Sequence, residues 1–473
     1  MRARISVIAS YLPARTLTSD EVEQSVSGYR PPRGIVERMT GIRRRHVAER
    51  GQQASDLAVA AALRILAPLA GRDGSQPPAV RLGPRTSGER LGSGASGERL
   101  DPQASGGRLG ARGSVCGSHA APGLGVDAGS GADGSASDAA CGAARSDAER
   151  GAGGLVAGTV AGAAADGVAA DGVAADGVAA DGVAADGVAA DGVAAPDAGA
   201  APDAGQPEVR WADGVARPVE REDIDLLIFA SASQDMVEPA TAHIVAAKLA
   251  LTCPVFDVKN ACNSLLNGIQ IAEALIVTGA HRRVLVCTGE TPSRAIRWQV
   301  RDRAQFVDSF AGYTLSDSGA AVLVEADADR GIFYRGFSAD SAAWAIGTLP
   351  GGGSAHPRDP DYSYFRGDGR RLKEAFELVG PDLFLDALKR TGMHWDDFAM
   401  VAVHQVALPY LDFLARSLDI PEDKLVVTLP EHGNCASATL PLQLSLGPWQ
   451  AGDRVALLGL GGGISLGVML AEM

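Results

Sequence analysis

A thiol, an imidazole and a carboxamide stand out in this chain for where they fall. Cys262 follows the apolar run PVFDVKNA (254–261) and opens an apolar helix; His404 lies at the end of FAMVAVHQ (398–405); Asn434 follows LVVTLP (425–430) in the turn EHGNCASATLPLQL. A cysteine at a strand-to-helix junction meets unpaired N–H groups and the positive end of a helix dipole, which favour a thiolate and so a nucleophile. A neutral imidazole and a carboxamide offer hydrogen bonds without adding charge, which suits a developing oxyanion or enolate. Each residue also has a plainer explanation. Free cysteine is among the most buried residue types, a histidine on an apolar strand end is more often a hydrogen-bonded core residue, and Asn434 after Gly433 is well placed to cap a helix. Type and position alone leave both explanations open.

The elements that must position these groups alternate. DIDLLIFASAS (223–233) has the pattern of a buried strand, 239–250 that of a helix with Ala242, Val245, Ala246 and Leu249 on one face, 254–261 a strand, and RRVLVCTGE (282–290) another. Strand, helix, strand is the signature of an α/β fold with a parallel sheet. Further on, 398–405, 425–430 and RVALLGLG (454–461) are expected strands, ending at His404, just before Asn434, and at the glycines Gly461-Gly462-Gly463. In open α/β sheets the carboxyl ends of the strands are where ligands bind.

Between 71 and 218 the composition turns to Ala, Gly, Asp, Ser and Pro. SGERL occurs at 87–91 and 96–100, and DGVAA is repeated six times in succession from Asp166. A five-residue period matches neither helix nor strand, and such small side chains bury too little area to offset the cost of ordering the backbone. This insert is expected to be disordered, which leaves about 325 residues, enough for one α/β unit.

The net charge of −14 argues against a nucleic-acid partner, since such proteins gather Lys and Arg on a basic face. The apolar run at 5–10 is too short for a signal sequence or a membrane span, so a cytoplasmic protein with no membrane partner is expected. The six cysteines, Cys116, Cys141, Cys253, Cys262, Cys287 and Cys435, lack metal-ligand or disulfide-framework spacing, and no metal is expected.

Taken together, MTGIRRRHVAERGQQASDLAVAAA (39–62), FDVKNACNSLLNGIQIAEAL (256–275), VAVHQ, HGNCASATLPL (432–442) and GDRVALLGLGGGISLG (452–467) resemble the 3-oxoacyl-acyl-carrier-protein synthase III branch of the thiolase superfamily. The resemblance implies an α/β thiolase fold with two similar halves, each a mixed sheet with helices, layered α-β-α-β-α. Residues 1–70 and 219–325 would form the half carrying the nucleophile, 326–473 the other half, with 71–218 inserted. It implies an acyltransferase in which Cys262 accepts the acyl group while His404 and Asn434 hold the second substrate's thioester carbonyl. The N–H of Gly462 would join that of Cys262 in the first oxyanion hole. The substrates would be acyl-carrier-protein or coenzyme A thioesters, with no further cofactor, and the protein a homodimer.

The sequence departs from the family in two places. Cys262-Asn263-Ser264 replaces the usual Cys-Ser-Gly or Cys-Ala-Gly, and Ile35 and Met39 stand where the family places the Trp and Arg that sandwich the coenzyme A adenine. RPPRGIVERMTGIRRRH and DMVEPATAHIV are closer to the head-to-head condensing enzymes of the olefin pathway, in which a Glu matched by Glu238 acts as base in the partner subunit's site. Glu238 could equally serve the start of the helix that follows it. Leu458-Gly459-Leu460 lacks the second cysteine of a true thiolase, and LGLGGGISLG lies too near residue 473 for a dinucleotide site. From another class, a catalytically silent scaffold would leave the Cys, His, Asn and glycines without a shared purpose.

Overall fold

The computed structural model describes residues 1–68 and 206–473. In chain order its strands are β1 (Arg2–Tyr11), β2 (Thr16–Thr18), β3 (Arg44–His46), β4 (Arg210–Trp211), β5 (Leu226–Ala230), β6 (Val255–Val258), β7 (Arg283–Glu290), β8 (Ser318–Asp327), β9 (Ile332–Ala339), β10 (Gly347–Thr348), β11 (Arg366–Gly367), β12 (Met400–Val403), β13 (Arg454–Gly461) and β14 (Ser465–Glu472). One sheet runs β4-β1-β8-β7-β5-β6 and another β12-β13-β14-β9; β2-β3 and β10-β11 form small ribbons.

Both large sheets are mixed. β5 runs parallel to β6 and β7, and β12 parallel to β13, whereas β8 is antiparallel to β1 and β7, and β14 to β13 and β9. The strands β5, β6 and β7 are parallel, as the alternation of elements over 223–290 predicts, and the antiparallel β1, β8, β9 and β14 make both sheets mixed, as the resemblance implies. β14 follows β13 through the short turn 462–464, whereas the helix Arg303–Ser309 lies between β7 and β8, and an apolar run by itself does not encode direction.

The layering follows from which faces are apolar. In β5, Leu226, Ile228 and Ala230 face one side and Leu227 and Phe229 the other, and all five are buried. One core packs Ile228, Val286 and Val322 of the first sheet and Ala402, Leu457 and Met469 of the second around the helices Ser264–Val277 and Thr439–Leu446. The helices Ala54–Ala62 and Thr241–Leu249 cover the first sheet's outer face, and Asp382–Thr391 and Leu408–Ser417 that of the second. Five layers result, helix-sheet-helix-sheet-helix, as the resemblance implies. Each large aliphatic side chain so buried contributes about 1.5–3 kcal/mol.

Two expectations from local pattern are revised. Residues 425–430 form no strand beyond a bridge between Val401 and Leu425, and Leu429–His432 is a short helix. The Gln405 carboxamide takes the polar groups that a ladder would use: Nε2 donates to the Val426 carbonyl at 2.6 Å, and Oε1 accepts from Thr428 and Leu429 N–H at 3.0 and 2.9 Å. The low-complexity reading of 71–205 lies outside the described residues, but 206–218, placed in that segment by composition, packs on the sheet. β4 pairs antiparallel with β1, Ala212 is fully buried, and the Gln206 carboxamide exchanges two hydrogen bonds with the Leu12 backbone. Arg210 donates to the Gly447 and Trp449 carbonyls and stacks on the Trp449 ring at 4.5 Å.

Candidate active site

Cys262 sits one residue before Asn263, the N-cap of the fourteen-residue helix Ser264–Val277. The turn that presents it is held by its own backbone and by Ser264. Asn263 N–H donates to the Asn260 carbonyl, Ser264 Oγ to the Ala261 carbonyl at 2.7 Å, and Asn260 N–H to Ser264 Oγ at 2.8 Å. Ala261 takes a left-handed φ of 47°. The glycine loop lies against this turn, where a Cβ on Gly462 would stand 3.5 Å from the Ala261 Cβ, which brings the Gly462 N–H near the Cys262 sulfur. That donor lowers the thiol's pKa, but burial first, and the nearby Glu290 carboxylate second, push it up to about 12. Burial and the Glu290 carboxylate thus work against the thiolate that the helix position favours.

The departure at Asn263 is a structural join. Its carboxamide nitrogen donates to the Ser465 carbonyl and hydroxyl at 3.0 and 3.2 Å, tying the nucleophile turn to the start of β14. Its Oδ1 lies where a Cβ on residue 459 would stand, so Gly459 is required by that approach.

His404 extends β12 by donating its N–H to the Leu458 carbonyl at 2.9 Å, which sets it alongside the strand that leads into the glycine loop. The ring is buried, and burial lowers its pKa to about 4, so at neutral pH it is an uncharged imidazole. Nδ1 has no partner among the described groups. The ring can therefore carry its proton on Nε2 as a donor.

Asn434 is fixed by its backbone. Its N–H donates to the Thr314 carbonyl and its carbonyl accepts from Ser316 N–H, both at 2.9 Å, while Oδ1 accepts from Ala436 N–H at 3.0 Å. With Oδ1 so engaged and Nδ2 donating to Thr314 Oγ1 at 3.5 Å, the second amide N–H is the one left to face a substrate. The cap anticipated at Asn434 falls instead on Cys435, before the turn Ala436–Ala438, and on Ala438, before the helix Thr439–Leu446.

Beneath these groups lies Glu290, fully buried at the end of β7, which the sequence reading passed over. It accepts from Ala232 and Ser233 N–H at 2.9 and 3.1 Å, from Ser233 Oγ, and from Ser437 Oγ, three residues beyond Asn434. A carboxylate closing the apolar run RRVLVCTGE was the available signal, because a buried charge needs partners.

Glu238 is elsewhere. It is exposed and does not cap the following helix, which begins at Thr241; the Asp257 carboxylate on β6 accepts from Thr241 and Ala242 N–H at 2.9 and 2.8 Å instead. Ile35 and Met39 fall on the helix Ile35–Thr40, with Met39 exposed. A cavity of about 510 Å³ lined by Arg15, Arg50, Arg294 and Trp298 contains none of Cys262, His404 or Asn434. Among the described residues no His, Cys, Asp and Glu cluster could hold a metal, and no helix is long and apolar enough to cross a membrane.

The fold and this arrangement define a condensing enzyme of the thiolase superfamily. Comparison with known proteins fixes the branch. Residues 256–341 match the 3-oxoacyl-(acyl-carrier-protein) synthase III family profile, and 388–473 match that of its C-terminal part. Beta-ketoacyl-(acyl-carrier-protein) synthase III of Desulfitobacterium hafniense strain Y51 is 30% identical over 262 residues, 53% of this chain and 77% of the relative. That of Fusobacterium nucleatum is 29% identical over 261 residues, with the same coverage. Among solved structures, Xanthomonas campestris OleA with bound lauric acid and lauroyl-CoA aligns with a TM-score of 0.61 at 18% identity, covering 100% of this chain and 99% of that one. FabH from Pseudomonas aeruginosa PAO1 aligns with a TM-score of 0.59 at 18% identity, covering 100% and 98%. The chain belongs to the 3-oxoacyl-(acyl-carrier-protein) synthase III family. It is an acyltransferase of the condensing type, which sets the scaffold reading aside.

Proposed function

We propose that the enzyme transfers an acyl group from an acyl-carrier-protein or coenzyme A thioester to Cys262 and condenses it with a malonyl thioester, giving a 3-oxoacyl product. The observation that carries this reading is the glycine loop packed on the Cys262 turn, a Cβ on Gly462 standing 3.5 Å from the Ala261 Cβ, which sets a second backbone N–H beside that of Cys262 as an oxyanion hole needs. In the first half-reaction the sulfur attacks the thioester carbonyl and the carrier thiol departs with the proton that Cys262 gives up, so no net base is consumed. In the second, loss of carbon dioxide leaves an enolate whose oxygen receives hydrogen bonds from neutral His404 and from the Asn434 amide. The enolate carbon then attacks the acyl-Cys262 carbonyl and expels the sulfur. No further cofactor takes part, and we place the reaction in the cytoplasm.

The test is intact mass after incubation with an acyl thioester. Wild type should gain one acyl group and Cys262→Ala none; an undiminished adduct on the variant would remove Cys262 from its role.

A second reading, head-to-head condensation of two fatty acyl thioesters with Glu238 as base, is favoured by one observation. Glu238 is exposed and free of the capping duty that would explain it. We further propose a homodimer paired along the free side of β6. That strand pairs only with β5 among the described residues, and Phe256, Met236 and Val237 are exposed there or on the loop that precedes the helix Thr241–Leu249.

A further inference from the structure

Behind the turn that carries Asn434 stand two histidines that the proposed chemistry does not use. Residues 43–46 run beside the short helix Leu429–His432 and meet it group by group. Arg43 N–H donates to the Pro430 carbonyl at 2.8 Å, the Arg43 and Arg44 guanidiniums both reach the Glu431 carboxylate, and His46 Nε2 lies 3.1 Å from His432 Nδ1. The two ring planes are 16° apart. On its other side, His46 Nδ1 lies 2.8 Å from the Pro13 carbonyl oxygen.

This chain of contacts determines where the protons are. A carbonyl only accepts, so His46 Nδ1 carries a hydrogen. In a neutral ring Nε2 is then a lone pair, and the hydrogen between the rings must sit on His432 Nδ1. Burial lowers the pKa of both rings, and Arg44 adds to this at each, with Glu431 opposing at His432, so the neutral form is the resting one. Both histidines are thus held with the proton on Nδ1, the less common neutral tautomer.

The pair grips the Asn434 turn from two sides. Through its ring, His46 holds His432, two residues before Asn434. Through its backbone, His46 N–H donates to Ser316 Oγ at 2.9 Å, and Ser316 N–H donates to the Asn434 carbonyl at 2.9 Å. Between them Gly433 turns at φ 67°, where a Cβ would stand 2.9 Å from Ser316 Cβ and 3.1 Å from Arg45 Cβ. The turn cannot shift unless the strand and the Ser316 loop shift with it.

We propose that the His46–His432 pair is a positioning device for Asn434, setting where its amide donor stands when the second thioester binds. The inference rests on the role proposed above for Asn434. Displacing a reacting group by about 1 Å can cost a hundredfold in rate, so the pair should govern the second half-reaction and leave the first untouched.

The experiment compares His432→Phe, which keeps a planar ring but loses the N–H, with His432→Asn, whose Nδ2 stands where the imidazole Nδ1 stood. Acylation of Cys262 by an acyl thioester and condensation with a malonyl thioester are measured separately, with Asn434→Ala alongside. Acylation should stay within about twofold in both histidine variants. Condensation kcat should fall roughly 10- to 100-fold in His432→Phe and recover to within about fivefold of wild type in His432→Asn. Equal condensation in the two histidine variants, with Asn434→Ala inactive, would overturn the inference while sparing the reading of the site. Normal condensation by Asn434→Ala would instead bring down that reading and the inference with it. A further measurement needs no variant: ¹⁵N–¹H long-range correlation on the ¹⁵N-histidine-labelled enzyme at pH 7 should show His46 and His432 both protonated on Nδ1. A proton on His46 Nε2 would overturn the inference.

Discussion

Among the described residues, five other than glycine have a left-handed backbone, Ala250, Ala261, Asp419, Ala436 and Ile464, and three of them flank the site. Ala261 precedes Cys262, Ala436 follows Asn434 by two, and Ile464 follows Gly462 by two; the other pair end helices at Ala250 and just past Ser417. Such conformations cost on the order of 1 kcal/mol or more and persist where the surroundings impose them. At Cys262 the surroundings also impose the protonation state. With the thiol pushed up to about 12, alkylation by iodoacetamide, followed at Cys262 by peptide mapping, should speed up nearly tenfold per pH unit from 7 to 10. A plateau at or below pH 8 would show a thiolate already formed in the resting enzyme. Cys262, His404, Asn434 and Gly462 could be proposed from the sequence because each lies in a short contiguous motif of the family that the chain resembles. Glu290 and the His46–His432 pair could not: Glu290 meets Ser437 across 147 residues and His46 meets His432 across 386, and one sequence carries no record of such pairings.

Among the elements, the strands on either side of Cys262, together with β12 and β13, were readable from apolar runs bounded by charge and glycine. The antiparallel strands β8, β9 and β14 were not, and neither was the fate of 425–430, where a single side chain, Gln405, replaces a ladder. Composition also set the end of the insert too late. Val209, Arg210, Trp211 and Ala212 interrupt the small residues, and this short run is enough to add an edge strand to β1. Excising 75–200 and joining the ends with a short linker should therefore leave Tm within about 2 °C of wild type. Excising 75–215 removes the Arg210 contacts with Trp449 and the buried Ala212, a loss of roughly 2–3 kcal/mol, and should lower Tm by about 3–4 °C. Equal melting of the two constructs, checked by calorimetry, would mean that β4 contributes nothing.

For the molecule as a whole, the five layers bring residues from distant parts of the chain to one place, since the helix Ser264–Val277 packs between the two sheets and its start meets the β13–β14 turn. That architecture followed from the family resemblance; alternation of elements gave only the α/β class. The free side of β6 is one of the sheet edges without a partner among the described residues, and an exposed edge strand is a template for pairing. Light scattering should give twice the chain mass for wild type and one chain mass for Phe256→Glu, while a monomeric wild type would contradict pairing there. The central claim concerns where the carbanion comes from. If decarboxylation supplies it, no protein base is needed, whereas proton removal from a second acyl thioester makes a positioned carboxylate worth a hundredfold or more. The deciding measurement is carbon dioxide release from malonyl thioester by enzyme acylated at Cys262, in wild type and in Glu238→Gln. Decarboxylative condensation predicts release by both at rates within a few fold of each other; no release from wild type, with product formed from two acyl thioesters only when Glu238 is present, would contradict it.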